Sequence, residues 1–231
     1  TSMLAEDFKP NRLEASKDVA VEFISGREND RIGLVIFSGE SFTQCPITTD
    51  HATVINFFNN IECGMIEDGT AIGMGLATAV SRLKDSKAIS KVIILLTDGE
   101  NNMGAIAPVT ASEIAKKFGV RVYTVGVGSK GTAPYPFQSP FGGVQYQNVE
   151  VNIDEETLTQ IAENTDGKYF RATNKQKLIE IYKEIDQLEK TKIDIHKHSK
   201  TKEEFFLFAL IAGILILVEL ILGNTILRKI P

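Results

Sequence analysis

Apolar residues recur at helical spacing from the start of the chain. Leu13, Ala20, Val21 and Ile24 fall on one side of a helix over 10–25, with Pro10 suited to its first turn. Residues 31–37 (RIGLVIF) then form a short unbroken apolar run that predicts a buried strand, and Ser38-Gly39-Glu40 turns it into a hairpin with 41–47. Asp50 can cap a helix running to about Asn59, and Ile72, Leu76, Val80 and Leu83 mark the buried side of a helix over 72–83. Residues 91–97 (KVIILLT) are the most apolar strand before residue 190. They alternate poorly, which predicts cover on both faces, as in a central parallel strand. A helix over 108–118 opens on Pro108 and stops at Gly119, and 120–127 (VRVYTVGV) is the next strand. Asn152 or Asp154 opens a helix that Asp166-Gly167 closes. A short strand over 168–172 follows, and then a last amphipathic helix starting at Asn174 with Leu178, Ile181, Ile185 and Leu188.

Strands that alternate with helices in this way imply an α/β fold, a doubly wound and mostly parallel sheet with right-handed crossovers. Residues 129–143 (SKGTAPYPFQSPFGG) are too rich in Pro and Gly for a helix or a central strand and read as a long loop, from which 144–151 can return as a hairpin strand. The pattern changes again near residue 189. Residues 1–188 form the globular domain, 189–204 a polar, Lys-rich juxtamembrane linker, and 205–227 a transmembrane helix. Within it, 205–222 (FFLFALIAGILILVELIL) is apolar except for Glu219 and would rise about 27 Å as a helix, close to the hydrocarbon thickness of a bilayer. Glu219 lies near the far end, close to Arg228 and Lys229, where an acidic residue can reach the interface. The expected location is therefore a membrane, with the orientation left open because lysines precede the span and Arg228 and Lys229 follow it.

A net charge of -5 argues against nucleic acid as a partner. Cys45 and Cys63 match no zinc or disulfide pattern and are expected to be buried free thiols. Gly126, Gly128 and Gly131 have the spacing of a dinucleotide-binding turn, but Pro134 and Pro136 follow at once, so no helix can present its N-terminus to a pyrophosphate. His51, His196 and His198 are scattered, and no Ser-His-Asp or Cys-His arrangement can be argued.

Two loops carry candidate chemistry. Asp98-Gly99-Glu100 follows the strand 91–97, where open α/β sheets bind ligands, although Asp-Gly is also ordinary turn chemistry. Asp68-Gly69-Thr70 precedes the helix over 72–83, where Asp or Thr could equally be an N-cap. Both loops should lie on one rim of the sheet, and a hydroxyl and a carboxylate converging there suit a hard divalent cation.

These motifs resemble the von Willebrand factor type A family. LLTDGENN with Asp98 is similar to the last element of its metal-ion-dependent adhesion site, DGTAIGMGLATA with Thr70 to the middle element, and Thr1-Ser2-Met3 to the tail of the opening Asp-x-Ser-x-Ser. LAEDFKPNRLEASK, TDGENNMGAIAP and GTAPYPF resemble one branch, the bacterial Bat-type aerotolerance membrane proteins. The resemblance implies a binding module and no enzyme. Its metal ligands would be Ser2, Thr70 and Asp98, its cation Mg²⁺ (or Mn²⁺ or Ca²⁺), and its partner a protein that supplies a carboxylate. Other Bat-type proteins and a MoxR-type AAA+ ATPase are implied as associates, in stress or oxygen tolerance or complex assembly. The motif's Asp, its first Ser and the family's central first strand have no counterpart here, so the chain reads as cut inside the motif. Ser2 is then expected to be poorly ordered and the cation weakly held or absent. Two other readings stand beside it: a metal-assisted hydrolase that uses the same rim with Glu100 as base, and a purely structural membrane subunit with no metal.

Overall fold

The computed structural model describes residues 2–139, 143–198 and 208–216. The chain divides into two compact units, Thr1–Glu189 and Lys190–Pro231. The first holds seven strands among its described residues: β1 (Ile32–Phe37), β2 (Ser41–Thr48), β3 (Val92–Thr97), β4 (Arg121–Val127), β5 (Thr132–Gln138), β6 (Val144–Glu150) and β7 (Tyr169–Ala172). Helices α1 (Arg12–Ser25), α2 (His51–Asn59), α3 (Ile72–Leu83), α4 (Pro108–Lys117), α5 (Glu155–Asn164) and α6 (Lys175–His198) alternate with them. The fold is α/β with a parallel sheet, as the pattern predicted.

That sheet has three strands in the order β3-β4-β7, all parallel. Period-two geometry sends alternate residues of β4 to opposite faces. Tyr123, Val125 and Val127 join Ala15 and Val19 of α1 and Leu178, Ile181 and Ile185 of α6 on one face. On the other, Val122 joins Ile93 and Leu95 of β3, together with Ile72 and Leu76 of α3, Ala111 of α4 and Leu158 of α5. Helices thus cover both faces, and β4 is the strand buried along nearly its whole length. The cover on both faces predicted for 91–97 holds as well: Ile93 and Leu95 of β3 join one core, while Val92, Ile94 and Leu96 pack against the other. Among the described residues β3 pairs with β4 along one edge, and its residues alternate between buried and half-buried.

β1 and β2 form a separate antiparallel pair, and among the described residues no ladder joins them to β3. Ile24, Leu34, Cys45 and Val54 make a third core beneath this pair. Helix α3 packs against β1, β2 and β3 alike.

Several boundaries differ from the pattern. Helix α1 begins at Arg12 because the Asn11 side chain accepts from the Glu14 amide and caps it, which leaves Pro10 outside the first turn. The stretch expected as a long loop contains β5, which pairs with β6 from Thr132↔Glu150 to Gln138↔Val144. Prolines fit there because Pro134 and Pro136 are two apart and share one orientation, and the Pro134 carbonyl faces away from β6 to accept from the Glu6 amide. Cys45 is buried as expected, but Cys63 is only half-buried. Helix α6 continues to His198, past the point where the linker was placed.

Among the described residues, no helix is long and apolar enough to cross a membrane. Of the predicted span 205–227, residues 208–216 are helical, with Phe208, Leu215 and Ile216 exposed. The remainder lies outside the described residues.

Candidate functional site

Asp98 is placed by β3. The strand ends at Thr97, and the chain turns as Thr97 Oγ1 accepts from the Gly99 amide at 3.3 Å. The Asp98 side chain is buried and held on both oxygens: Ser2 Oγ donates to Oδ1 at 2.7 Å, and Arg12 Nη1 donates to Oδ2 at 3.0 Å. Ser2 opens a short 3-10 turn (Ser2–Leu4) whose carbonyl at Ser2 accepts from the Ala5 amide. These two bonds place Ser2 beside Asp98.

Thr70 reaches the same pocket from the loop before α3. The alternative in which Asp68 or Thr70 caps that helix does not hold, because Ala71 is the N-cap and no side chain caps the helix. Instead the loop is stitched to its surroundings. Ser38 Oγ donates to the Gly69 carbonyl and the Ala71 amide donates to the Ser38 carbonyl. Asn102 bonds Thr70 twice: its side-chain oxygen accepts from the Thr70 amide at 2.8 Å, and its own amide donates to the Thr70 carbonyl at 3.0 Å. The Thr70 hydroxyl lies across from Gly99, where an added methyl group would stand 3.4 Å from Thr70 Oγ1. Ser2, Thr70 and Asp98 therefore line one pocket of about 690 Å³.

Three residues that set this geometry were not singled out in the sequence. Arg12, buried at the start of α1, binds Asp7 through Nε and Nη2, both at 2.8 Å, as well as Asp98. Burial opposes its charge, but the hydrogen bonds to Asp7 and the charge of Asp98 outweigh that, and its pKa stands above the ordinary arginine value. Burial likewise raises Asp7, yet Arg12 and the Ser129 amide, which donates at 2.7 Å, hold its carboxyl below the usual range. Asn102 is the third. Its only signal in the sequence was a pair of asparagines after an Asp-Gly turn. Arg12 gave less, since a lone arginine in PNRLEASK reads as a solvated helix residue.

One wall of the pocket belongs to the β5–β6 hairpin, through Ala133, Tyr135 and Val149. Glu100, the candidate base, also lines the pocket but is exposed. Among the described residues, no three His, Cys, Asp or Glu side chains gather around one point that could hold an ion. Any cation here would rest on one carboxylate and two hydroxyls.

Residues 1–184 match the von Willebrand factor type A domain, and the chain belongs to that family. It is 32% identical to an uncharacterized protein of Borreliella burgdorferi over 99% of this chain and 67% of that one. Among solved structures, BatB of Bacteroides thetaiotaomicron is 32% identical with a TM-score of 0.69, covering 82% of this chain and 94% of that one. An aerotolerance-related membrane protein of Bacteroides fragilis, carrying multiple mutations to serine, is also 32% identical, with a TM-score of 0.67 over 80% and 92% of the two chains. The structural neighbours are thus Bat-type aerotolerance proteins. The chain spans only 56% to 59% of the length of other curated relatives at 27% to 28% identity.

Proposed function

We propose that this chain is a membrane-anchored binding module that holds a divalent cation, Mg²⁺ or Mn²⁺ (or Ca²⁺), through Ser2, Thr70 and Asp98 and offers an open coordination position to a carboxylate of a protein partner. The single observation that carries this reading is the convergence of Ser2 Oγ, 2.7 Å from Asp98, and Thr70 on one pocket at the carboxyl end of β3. The donors are all oxygens, which suits a hard cation that keeps part of its water shell. Arg12 occupies one oxygen of Asp98, so a cation would meet this carboxylate from the Ser2 side, directly or through water. A strand running parallel to β3 along its unpaired edge would end at this pocket, which is where the family's opening Asp-x-Ser belongs.

Binding is favoured over hydrolysis because Glu100, the candidate base, is exposed on the rim, where bulk water competes for any substrate contact. By family, the partners would be other Bat-type proteins or a MoxR-type AAA+ ATPase, in bacterial stress and oxygen tolerance or complex assembly, with the chain held in the membrane through 205–227.

Calorimetric titration of Mg²⁺ and Mn²⁺ tests the reading on four proteins: the chain itself, the chain with Asp-x-Ser placed before Thr1, and that extended chain carrying Thr70→Val or Asp98→Asn. The extension should strengthen cation binding, because it adds a negative charge and a fixed hydroxyl, and each substitution should weaken it. Equal affinity in all four would remove the metal from the proposal.

A further inference from the structure

The hairpin beside the pocket turns one of its two faces toward it. Directly opposed residues of an antiparallel pair share a face, so Ala133, Tyr135 and Phe137 of β5 lie with Val149, Gln147 and Gln145 of β6. No residue on this face is charged. Ala133, Tyr135 and Val149 line the pocket that holds Asp98 and Thr70, so the face is continuous with the candidate cation site. Beyond the pocket, the Phe137 ring packs against Tyr135 with centroids 4.8 Å apart, and Phe137 and Val149 are exposed. An uncovered aromatic and aliphatic strip that starts at a binding pocket is the kind of surface that partners use.

The strip is held in place before any partner arrives. The Glu6 amide donates to the Pro134 carbonyl at 2.9 Å, Tyr146 Oη donates to Glu6 Oε1 at 2.9 Å, and the Val151 amide donates to the Gly131 carbonyl at 2.9 Å. Glu6 belongs to the same stretch as Ser2, Asp7 and Arg12, so hairpin and site share one support. Such pre-organisation reduces the ordering cost of binding.

Charge separates the two parts of the surface. The pocket carries Asp68, Asp98, Glu100 and Glu150 against Arg12 alone, so an acidic partner residue enters only with a cation. The adjoining strip has no charge to meet a charged flank. We infer that the partner presents its acidic residue within an extended segment whose neighbouring side chains are apolar, and that Tyr135, Phe137 and Val149 receive those neighbours. This rests on the metal-bridged reading above and adds the partner's chemistry to it.

The test uses two labelled synthetic peptides, each with one central Asp. In one the Asp is flanked by Leu, Phe and Val, in the other by Ser and Gly. Fluorescence polarisation is read with the full chain in detergent, with and without the Asp-x-Ser extension, in excess Mn²⁺ and in chelator. The apolar-flanked peptide should bind at least about tenfold more tightly in Mn²⁺, since a few buried apolar side chains dominate such interfaces. The double substitution Tyr135→Ser and Phe137→Ser should abolish that preference while calorimetric Mn²⁺ affinity stays unchanged. Val144→Ser, on the opposite face and exposed, should keep the preference. Equal, Mn²⁺-dependent binding of both peptides would overturn the inference and leave the metal reading standing. No Mn²⁺-dependent binding of either peptide would overturn both. If the double substitution instead abolishes binding of the domain to phosphatidylglycerol vesicles and leaves the peptide preference intact, the strip faces lipid and the inference falls.

Discussion

Arg12 donates to Asp98 Oδ2 at 3.0 Å from a side chain that is itself 3% exposed. The acidic residue placed in the site by the sequence is therefore half of a buried ion pair, and the other half is also bound by Asp7. This changes what substitutions should do. Arg12→Ala strands two buried carboxylates and should cost about 3–5 kcal/mol of stability. Asp98→Ala leaves Arg12 with its two bonds to Asp7 and should cost less, about 1–3 kcal/mol. It will not be silent, as a rim residue would be. Urea unfolding of the two variants checks the order, and a larger loss in Asp98→Ala would contradict this account of the pair.

Gly69 is fixed by two constraints at once. Its φ of 150° is one that side chains rarely adopt, and a Cβ there would stand 2.3 Å from Met103 Sδ. Gly69→Ala should destabilise the protein by about 1–3 kcal/mol. Adding Met103→Ala should recover only part of the loss, because it relieves the collision and not the backbone strain. Thermal unfolding of the single and double variants measures the two shares, and full recovery would mean that the dihedral carries no strain.

Asn102 ties the Thr70 loop to the Asp98 loop by bonds in both directions. Asn102→Ala removes the side-chain bond to the Thr70 amide and should cost about 1 kcal/mol. Its larger effect should fall on Mn²⁺ affinity in the chain extended by Asp-x-Ser, because Thr70 would no longer be fixed opposite Asp98. Asn102→Asp, which can still accept from the Thr70 amide, should retain most of the stability. An unchanged Mn²⁺ affinity in Asn102→Ala would show that the two loops hold their places without this link.

Much of the fold was legible because it depends on local periodicity. The helices at 72–83 and 108–117 and the strands at 92–97 and 121–127 follow from apolar spacing, Pro108 and Gly119. Cover on both faces of 91–97 was legible too, because its apolar run does not alternate. Which strand pairs on both edges was not, since 91–97 and 120–127 are similarly apolar and strand pairing leaves no periodic signal. The strand in TAPYPFQ was hidden by its prolines, which a ribbon edge accommodates and a sheet interior does not. At the site, Asp98 and Thr70 stood out by their places after a strand and before a helix, and motif resemblance named them as ligands and added Ser2. Arg12 was missed because its role depends on contacts 86 residues apart in sequence, which spacing does not encode.

The last prediction concerns the opposite end of the sheet. Glu189 is 5% exposed and accepts from Ser90 Oγ at 2.8 Å, Arg121 Nη1 at 2.5 Å and Tyr123 Oη at 2.7 Å. Ser90 precedes β3 and Arg121 opens β4, so this cluster sits at the amino ends of the strands, away from Asp98. Burial pushes the Glu189 carboxyl up, but the hydrogen bonds from Tyr123, Ser90 and Arg121 outweigh it, and its pKa falls below the ordinary value of 4.5. A depressed folded-state pKa stabilises the protein above the unfolded value, and that contribution is lost as pH falls through the folded one. Native Glu189 should therefore confer a stability advantage over Glu189→Gln that is fully present at neutral pH and shrinks progressively below about pH 4.5. At neutral pH the substitution should cost about 1.5–3 kcal/mol, the range for hydrogen bonds to a charged group. Cation affinity, measured in the chain extended by Asp-x-Ser, should not change, since none of these residues lines the site. Chemical denaturation of the chain and of Glu189→Gln at a series of pH values gives the difference directly. A difference that stays constant between neutral and strongly acidic pH would show that Glu189 is not a charged acceptor in the folded protein.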